Sequence, residues 1–278
     1  MSTHVKHWVG LLLLVLGTTT ASAQTSPPAD PTEPVAKFKD LQTFYWLNTY
    51  GNIRIKGRFF WVAQTHFRFT ESPQREFIGQ WAQLYNRHAV SYLVNSHFNV
   101  SLGGVARINF NTSETSEGQR MRVPEWRIWH EYLWSQHLFN GKVYHRVRLE
   151  HRWTRGFNDT NPNWIFRNRW RYMVAVKHPI NRHHLEPGAF YIGPEAEVIL
   201  QSGKAVVGSP LEDLRLHGSL GYIASAKFTF AAGLMYSLGQ DLADGGIYKQ
   251  KLTLRTHVYF TPDWRTPGAK LPPIHLRE

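Results

Sequence analysis

Three short segments hold most of the side chains that could do chemistry, and in each the charges recur at every second residue. Lys142 to Thr154 reads Lys-Val-Tyr-His-Arg-Val-Arg-Leu-Glu-His-Arg-Trp-Thr, which puts Arg146, Arg148, Glu150 and Arg152 on one parity. Glu125, Arg127 and Glu131 share a parity upstream, and Arg167, Arg169, Arg171 and Lys177 do so downstream. Side chains two residues apart leave a strand on the same side. Guanidinium and carboxylate groups on adjacent strands would therefore meet, each pair contributing a few tenths to about 1 kcal/mol. A further segment adds Glu195 and Glu197. Two chemistries suit such a set: an ion-pair network filling a narrow lumen, or a constriction that binds or conducts anions. The structural role is favoured, because long arginines can fill a barrel of modest strand number. Over the three segments cations outnumber acids eight to three, and Glu195 and Glu197 reduce the excess to three.

Other candidates are weaker. His178-Pro179-Ile180-Asn181-Arg182-His183-His184 holds three histidines, but their spacing matches no standard ligand pattern and a solvated connection is the expectation. Asp241 and Asp244 lack the spaced acids and closing Glu of a calcium loop. No metal and no cofactor is expected. His130, His145 and His151 fall on the apolar parity, where a lipid-modifying enzyme could use them. Ser135 lies on the opposite parity and no Gly-x-Ser-x-Gly occurs, so the parts of a serine hydrolase are missing.

The elements that must position these residues follow from the same period. Eleven strand candidates alternate in this way: Gln42 to Arg54, Arg58 to Phe69, Phe77 to Val94, Asn99 to Phe110, Glu125 to Leu138, Val143 to Thr154, Trp164 to Lys177, Ala189 to Gln201, Leu214 to Ala224, Lys227 to Gly239 and Tyr248 to Phe260. The apolar parity is rich in Trp, Tyr and Phe, as in Trp126, Ile128, His130, Tyr132 and Trp134. Later strands turn small residues inward, with Thr229, Ala231, Gly233 and Ser237 opposing Phe228, Phe230, Leu234 and Tyr236. The pattern predicts an all-β fold, a single antiparallel up-and-down transmembrane β-barrel with lipid on the apolar side and water on the other. Bacterial barrels of this kind close with an even number of strands. The expectation is therefore about twelve, with ten as runner-up. Short and long connections alternate, except that the break His178 to Gly188 is long where a short one is due.

The ends and composition agree with export. His4, Lys6 and His7 precede an apolar run, Val9 to Leu16, and Ala21-Ser22-Ala23 is a small-residue cleavage site. The expected organisation is a signal peptide over 1–23, a flexible leader over 24–40, the barrel over 41–260 and a Pro-rich tail over 261–278 that cannot be a ladder strand. No cysteine is present, so no disulfide holds the fold. The net charge of +12 arises from arginines alternating within strands, a pattern unlike a nucleic-acid-binding surface. The expected partners are outer-membrane lipid and lipopolysaccharide, the barrel-assembly machinery during insertion, and small anionic solutes, with the protein a monomer.

Glu125-Trp126-Arg127-Ile128-Trp129, His145-Arg146-Val147-Arg148-Leu149-Glu150-His151-Arg152 and Arg169-Trp170-Arg171-Tyr172 together resemble a family of exported bacterial proteins, domain of unknown function 2490. Trp46, Glu195 with Glu197, and Leu214 to Tyr222 share its rhythm. The resemblance implies an outer-membrane barrel and carries no activity or catalytic residue. The expected role is a narrow anion-preferring pore or a structural barrel, with a lipid-modifying barrel enzyme as the alternative and a soluble carrier disfavoured by the aromatic exterior. The mature chain should fractionate with outer membranes and migrate faster on gels unheated than boiled; recovery as a soluble periplasmic protein would contradict the pattern.

Overall fold

Period-two alternation over thirteen or more residues favours strands, and strands whose two faces differ this sharply must enclose one face. The computed structural model describes residues 37–112, 120–157, 163–206, 209–240 and 246–265. The expected signal peptide, most of the leader, Asp241, Asp244 and the tail beyond residue 265 lie outside the described residues. The elements are β1 (Lys37–Phe38), β2 (Gln42–Lys56), β3 (Phe59–Ser72), β4 (Arg75–Asn95), β5 (Phe98–Phe110), β6 (Arg122–Leu138), β7 (Gly141–Thr154), β8 (Ile165–Pro179), β9 (Phe190–Ser202), β10 (Leu211–Ile223), β11 (Phe228–Gln240) and β12 (Ile247–Phe260).

Strands β2 to β12 are the eleven staves of a closed barrel, each antiparallel to its predecessor. Closure is parallel: β12 runs beside β2 in the same direction, from Lys251 opposite Gln42 to Phe260 opposite Gly51. The two-residue β1 pairs in parallel with the start of β12 and extends the line of β2. The expected twelve strands, the ten-strand runner-up and the purely antiparallel sheet are all corrected by this register. An even count is required only when the first and last strands must be antiparallel. With an odd number they run the same way, and a parallel ladder still leaves neither strand with an unpaired edge. The eleven segments that the period picks out each coincide with a stave.

Alternation along each stave separates the two faces. The outward sets carry no Asp, Glu, Lys or Arg between their aromatic ends, and large apolar side chains such as Leu102, Ile128, Leu216 and Leu234 are more than half exposed there. Aromatic pairs form two bands. At the tight-turn end Phe59 packs on Tyr92 (4.9 Å between ring centroids), Phe98 on Trp134 (4.9 Å) and Phe190 on Tyr222 (4.7 Å). At the opposite end Phe69 packs on Trp81 (4.4 Å), Trp153 on Phe166 (5.2 Å) and Phe38 on Tyr248 (5.8 Å). Inward apolar residues form small clusters against the wall, Phe60 with Leu93, Leu133 and Tyr144, and Val62 with Tyr85, Ala89, Val105 and Trp129.

Irregularities fall at the ends. Phe139, in the tight β6–β7 turn, adopts φ +52°, a left-handed value that such two-residue connections demand and that glycine meets with less strain. The long β8–β9 connection is tied to the wall by Leu185 packing against Ala189, Tyr191 and Ile223. A second departure from the expected alternation is the tight β3–β4 connection, where Ser72 pairs with Arg75. Beyond β12 the described part of the tail forms no strand, but Asp263 makes an isolated parallel bridge with Arg54. Pro262 uses only its carbonyl, accepting from the Arg54 amide at 3.0 Å, and the Trp264 amide donates back to Arg54 at 2.9 Å. Proline lacks a donor and no donor is asked of it here. Arg265 donates to the Asp263 carboxylate at 2.6 and 2.9 Å and holds its pKa down at about 2.

At the seam, Phe260 lies over Gly51, where a Cβ would come within 2.4 Å of the ring. The parallel register is directly testable because the chain has no cysteine of its own. Thr49→Cys with Val258→Cys, facing partners in the ladder, should form a disulfide that alters mobility on unreduced gels. Thr49→Cys with Leu252→Cys, offset by about 20 Å along the strand, should not. Crosslinking of the second pair instead of the first would overturn the register.

Candidate functional site

The inward faces of β4 to β10 converge on one ion-pair network, because closure turns every inward charge toward the same lumen. Its centre is Glu150 on β7, with no solvent exposure. Arg127, Arg171 and Arg169 donate to its carboxylate at 2.7, 3.0 and 3.2 Å, and Arg148 and Arg87 stand at 3.7 and 3.8 Å. Glu125, equally enclosed, takes Arg127, Arg107 and Arg152 at 2.5, 2.6 and 3.2 Å. Glu131 pairs with Arg148 and, at 3.8 Å, with Arg146. Glu197 accepts from Arg146, Arg171 and Arg215 at 2.5, 2.7 and 3.4 Å. Arginine suits this role because its fixed fork reaches two carboxylates at once.

A β-bulge between Leu211 and Asp213 brings two more acids to the lumen. The bulged residue, Glu212, pairs with Arg169 and with Arg152 at 3.0 Å, while Asp213 pairs with Arg215 at 2.5 Å. Strict alternation would send one of these two neighbours outward, and the extra residue lets both point in. Each carboxylate is buried among guanidinium groups that offset its lost hydration, a balance that survives only if every member keeps its partners.

Ten of the twelve residues singled out in the sequence belong to this network: Glu125, Arg127, Glu131, Arg146, Arg148, Glu150, Arg152, Arg169, Arg171 and Glu197. Glu195 stands apart and pairs with Arg255 at 3.3 Å. Arg167 is buried yet has no carboxylate within ion-pair distance among the described residues. Sequence reasoning missed Arg87, Arg107, Glu212, Asp213 and Arg215. Arg87 and Arg107 lie on the inward parity of their strands, a usable signal that their isolation hid. Glu212 was illegible, since nothing in the period announces the bulge.

Aromatic rings complete the inner surface. The Tyr85 hydroxyl oxygen accepts from Arg107, Arg68 and Arg127 at 2.6, 3.1 and 3.3 Å. The Arg68 guanidinium lies 3.6 Å from the Trp46 ring centroid and 4.3 Å from that of Tyr85, a cation–π sandwich with no carboxylate in it. Trp129, fully enclosed, has Arg148 over its ring at 4.8 Å. Two cavities flank the network, of about 160 Å³ toward the tight turns and about 260 Å³ toward the loops. Trp46, Arg68, Arg87, Arg171 and Arg215 line both, so the two chambers adjoin at this group.

The outward histidines assemble no hydrolytic site among the described residues. His145 Nδ1 is 2.9 Å from the Tyr172 hydroxyl and His151 Nδ1 is 2.7 Å from Asn168 Oδ1, while Ser135 is buried on the lumen side. His178, His183 and His184 belong to no cluster able to hold a metal among the described residues.

A closed eleven-stave barrel with an arginine–glutamate interior and an uncharged, aromatic-banded exterior defines the class. Within it, the chain belongs to the family described as Protein of unknown function (DUF2490), whose model matches residues 43–246. That match spans the staves from β2 to β11, and the closing strand β12 follows it. No curated protein and no solved structure matches the chain.

Removing the central acid should be the most damaging single change to this network. Glu150→Gln is expected to destabilise by about 3 to 5 kcal/mol, measured by denaturant unfolding of the refolded protein, because it leaves several buried guanidinium groups short of counter-charge. Arg167→Gln, with no carboxylate to strand, should cost far less. Similar losses for the two variants would contradict this division of roles.

Proposed function

We propose that the protein is an outer-membrane β-barrel whose arginine-rich lumen forms a narrow, anion-preferring conduit. The observation that carries the reading is the pairing of an outer face free of ionised side chains between two aromatic bands with an inner face lined by charge. Exposed apolar surface of this extent calls for lipid, since water would drive such a surface into association. An export signal over 1–23 would deliver the chain to that membrane, and lipopolysaccharide would meet the outward histidines and aromatic rings at the interface.

Solute preference follows from the interior. Nine guanidinium groups share six carboxylates in the network, and Arg68 adds a positive charge where the chambers adjoin. A positive field inside a low-dielectric wall concentrates anions and repels cations. The two chambers take in Asn48, Ser219 and Ser237 on the β2 and β10–β11 side, while the β5–β8 side is filled by Trp129 and the paired arginines.

In planar bilayers under a potassium chloride gradient, the refolded protein should show a reversal potential of chloride preference. Arg68→Gln should weaken that preference more than replacing Arg148 and Arg169 together by Gln, since those two are already held by carboxylates. Cation preference in the unchanged protein would contradict the proposal, and absence of conductance would leave a structural barrel held by its ion pairs. Val147→Arg or Val174→Arg, on the outward face, should destabilise the membrane-inserted protein by about 2 to 4 kcal/mol. No such loss would mean that these positions do not meet lipid.

A further inference from the structure

We infer that the chamber on the tight-turn side of the network is a binding site for a small aromatic carboxylate, an anion with a flat ring of about the size of benzoate. The inference extends the anion-preferring lumen to a particular ligand class, and it rests on contacts present whether or not the barrel conducts.

One wall of the chamber is a stack of rings drawn from three strands. Tyr50 on β2 stacks on His257 (5.5 Å, 15°) and on Tyr259 (4.9 Å, 16°), both from β12. His257 stacks in turn on His217 of β10 (5.5 Å, 22°). Near-parallel rings at these separations form a π surface onto which a further flat ring can be laid. The space of about 160 Å³ is close to the roughly 150 Å³ of an apolar cavity known to hold benzene.

The charge around that space selects the ligand's sign. Eight lysine and arginine side chains line it against three acids. Two of those acids, Glu131 and Glu197, are already engaged by network arginines, which leaves Glu195 facing Arg255 at 3.3 Å. Lys177 Nζ stands 4.7 Å from the Tyr191 ring centroid and 5.0 Å from that of Tyr259, a cation held beside the ring stack. An organic cation would meet this field unfavourably, and a carboxylate would meet it well.

A second, independent observation points to an occupant. Among the described residues, Asn48 Nδ2, both ring nitrogens of His66, His217 Nε2 and His257 Nε2 have no hydrogen-bond partner, although these residues are only 1 to 7% exposed and all line the chamber. Buried polar groups are satisfied in the great majority of cases, and because a neutral imidazole donates from one ring nitrogen only, four of these five atoms can donate to ligand oxygens while the remaining His66 nitrogen accepts. The Tyr259 hydroxyl lies 3.1 Å from His257 Nδ1, and when it donates there the Nε2 of that imidazole carries a proton to offer.

The test is calorimetric titration of the refolded full chain in detergent micelles with benzoate, cyclohexanecarboxylate and benzylamine, each corrected for micelles alone. Saturable binding of benzoate is expected, with cyclohexanecarboxylate several-fold weaker because it cannot stack, and with no binding of benzylamine. Lys177→Met should weaken benzoate by about tenfold, the loss of one charge-assisted contact. His257→Phe, which keeps a ring and removes the nitrogens, should weaken it several-fold. Heat-modifiable gel mobility establishes that each variant has refolded, and discrimination among the three compounds by the unchanged protein needs no variant. Absence of saturable benzoate binding overturns the inference, as does benzylamine or cyclohexanecarboxylate binding as tightly as benzoate. A failure to conduct would leave the binding heat untouched, so the two readings fail separately.

Discussion

Everything in this barrel depends on how charge is neutralised away from water. A carboxylate as enclosed as Glu150 is stable in its ionised form only because several guanidinium groups from different strands surround it, and those groups need it equally. The demand reaches the backbone, since Arg127, Arg169 and Arg171 arrive from β6 and β8 only in the register that the ladders adopt. Slipping one strand by a single residue would send its arginines outward and its tryptophans inward. The network thus specifies register as much as it stabilises, and the uncharged exterior is the other half of the same division.

Most of the fold was legible because its signal is the simplest one a sequence carries. Alternation of Arg and Glu with Trp, Val and Tyr in β6, β7 and β8 gave both faces, and the eleven staves emerged from the same period. What went astray was an inference about closure. No residue in β2 or β12 announces a parallel partner, because parallel pairing is decided by where two distant segments meet. The small residue that accommodates it, Gly51 beneath Phe260, reads in the sequence as an ordinary strand glycine. The tail's prolines rule out a regular ladder but leave room for a single bridge through a carbonyl, which is what Pro262 and Asp263 supply and which nothing in the sequence announces.

The site was legible to the extent that it obeys the period. Glu212 enters the lumen through a bulge, an event set by the β9–β10 register. The ring-lined chamber was invisible for a different reason. Tyr50 and His66 meet within the β2–β3 hairpin, each an unremarkable inward residue of its own stave, and closure of β12 on β2 brings His257, with His217 stacked on it, against Tyr50. Parallel closure therefore links the two parts of the account. The antiparallel staves β4 to β10 build the charge network, and the seam builds the open side of the lumen.

Glu150 and its arginines act as one unit, a coupling open to measurement. A double-mutant cycle on Glu150→Gln and Arg127→Gln, read from denaturant unfolding of the refolded protein, measures it directly. Strong coupling is expected, the double variant losing less stability than the sum of the single variants by more than about 1 kcal/mol. Additivity within roughly 0.5 kcal/mol would mean that these side chains do not depend on one another and would contradict the account.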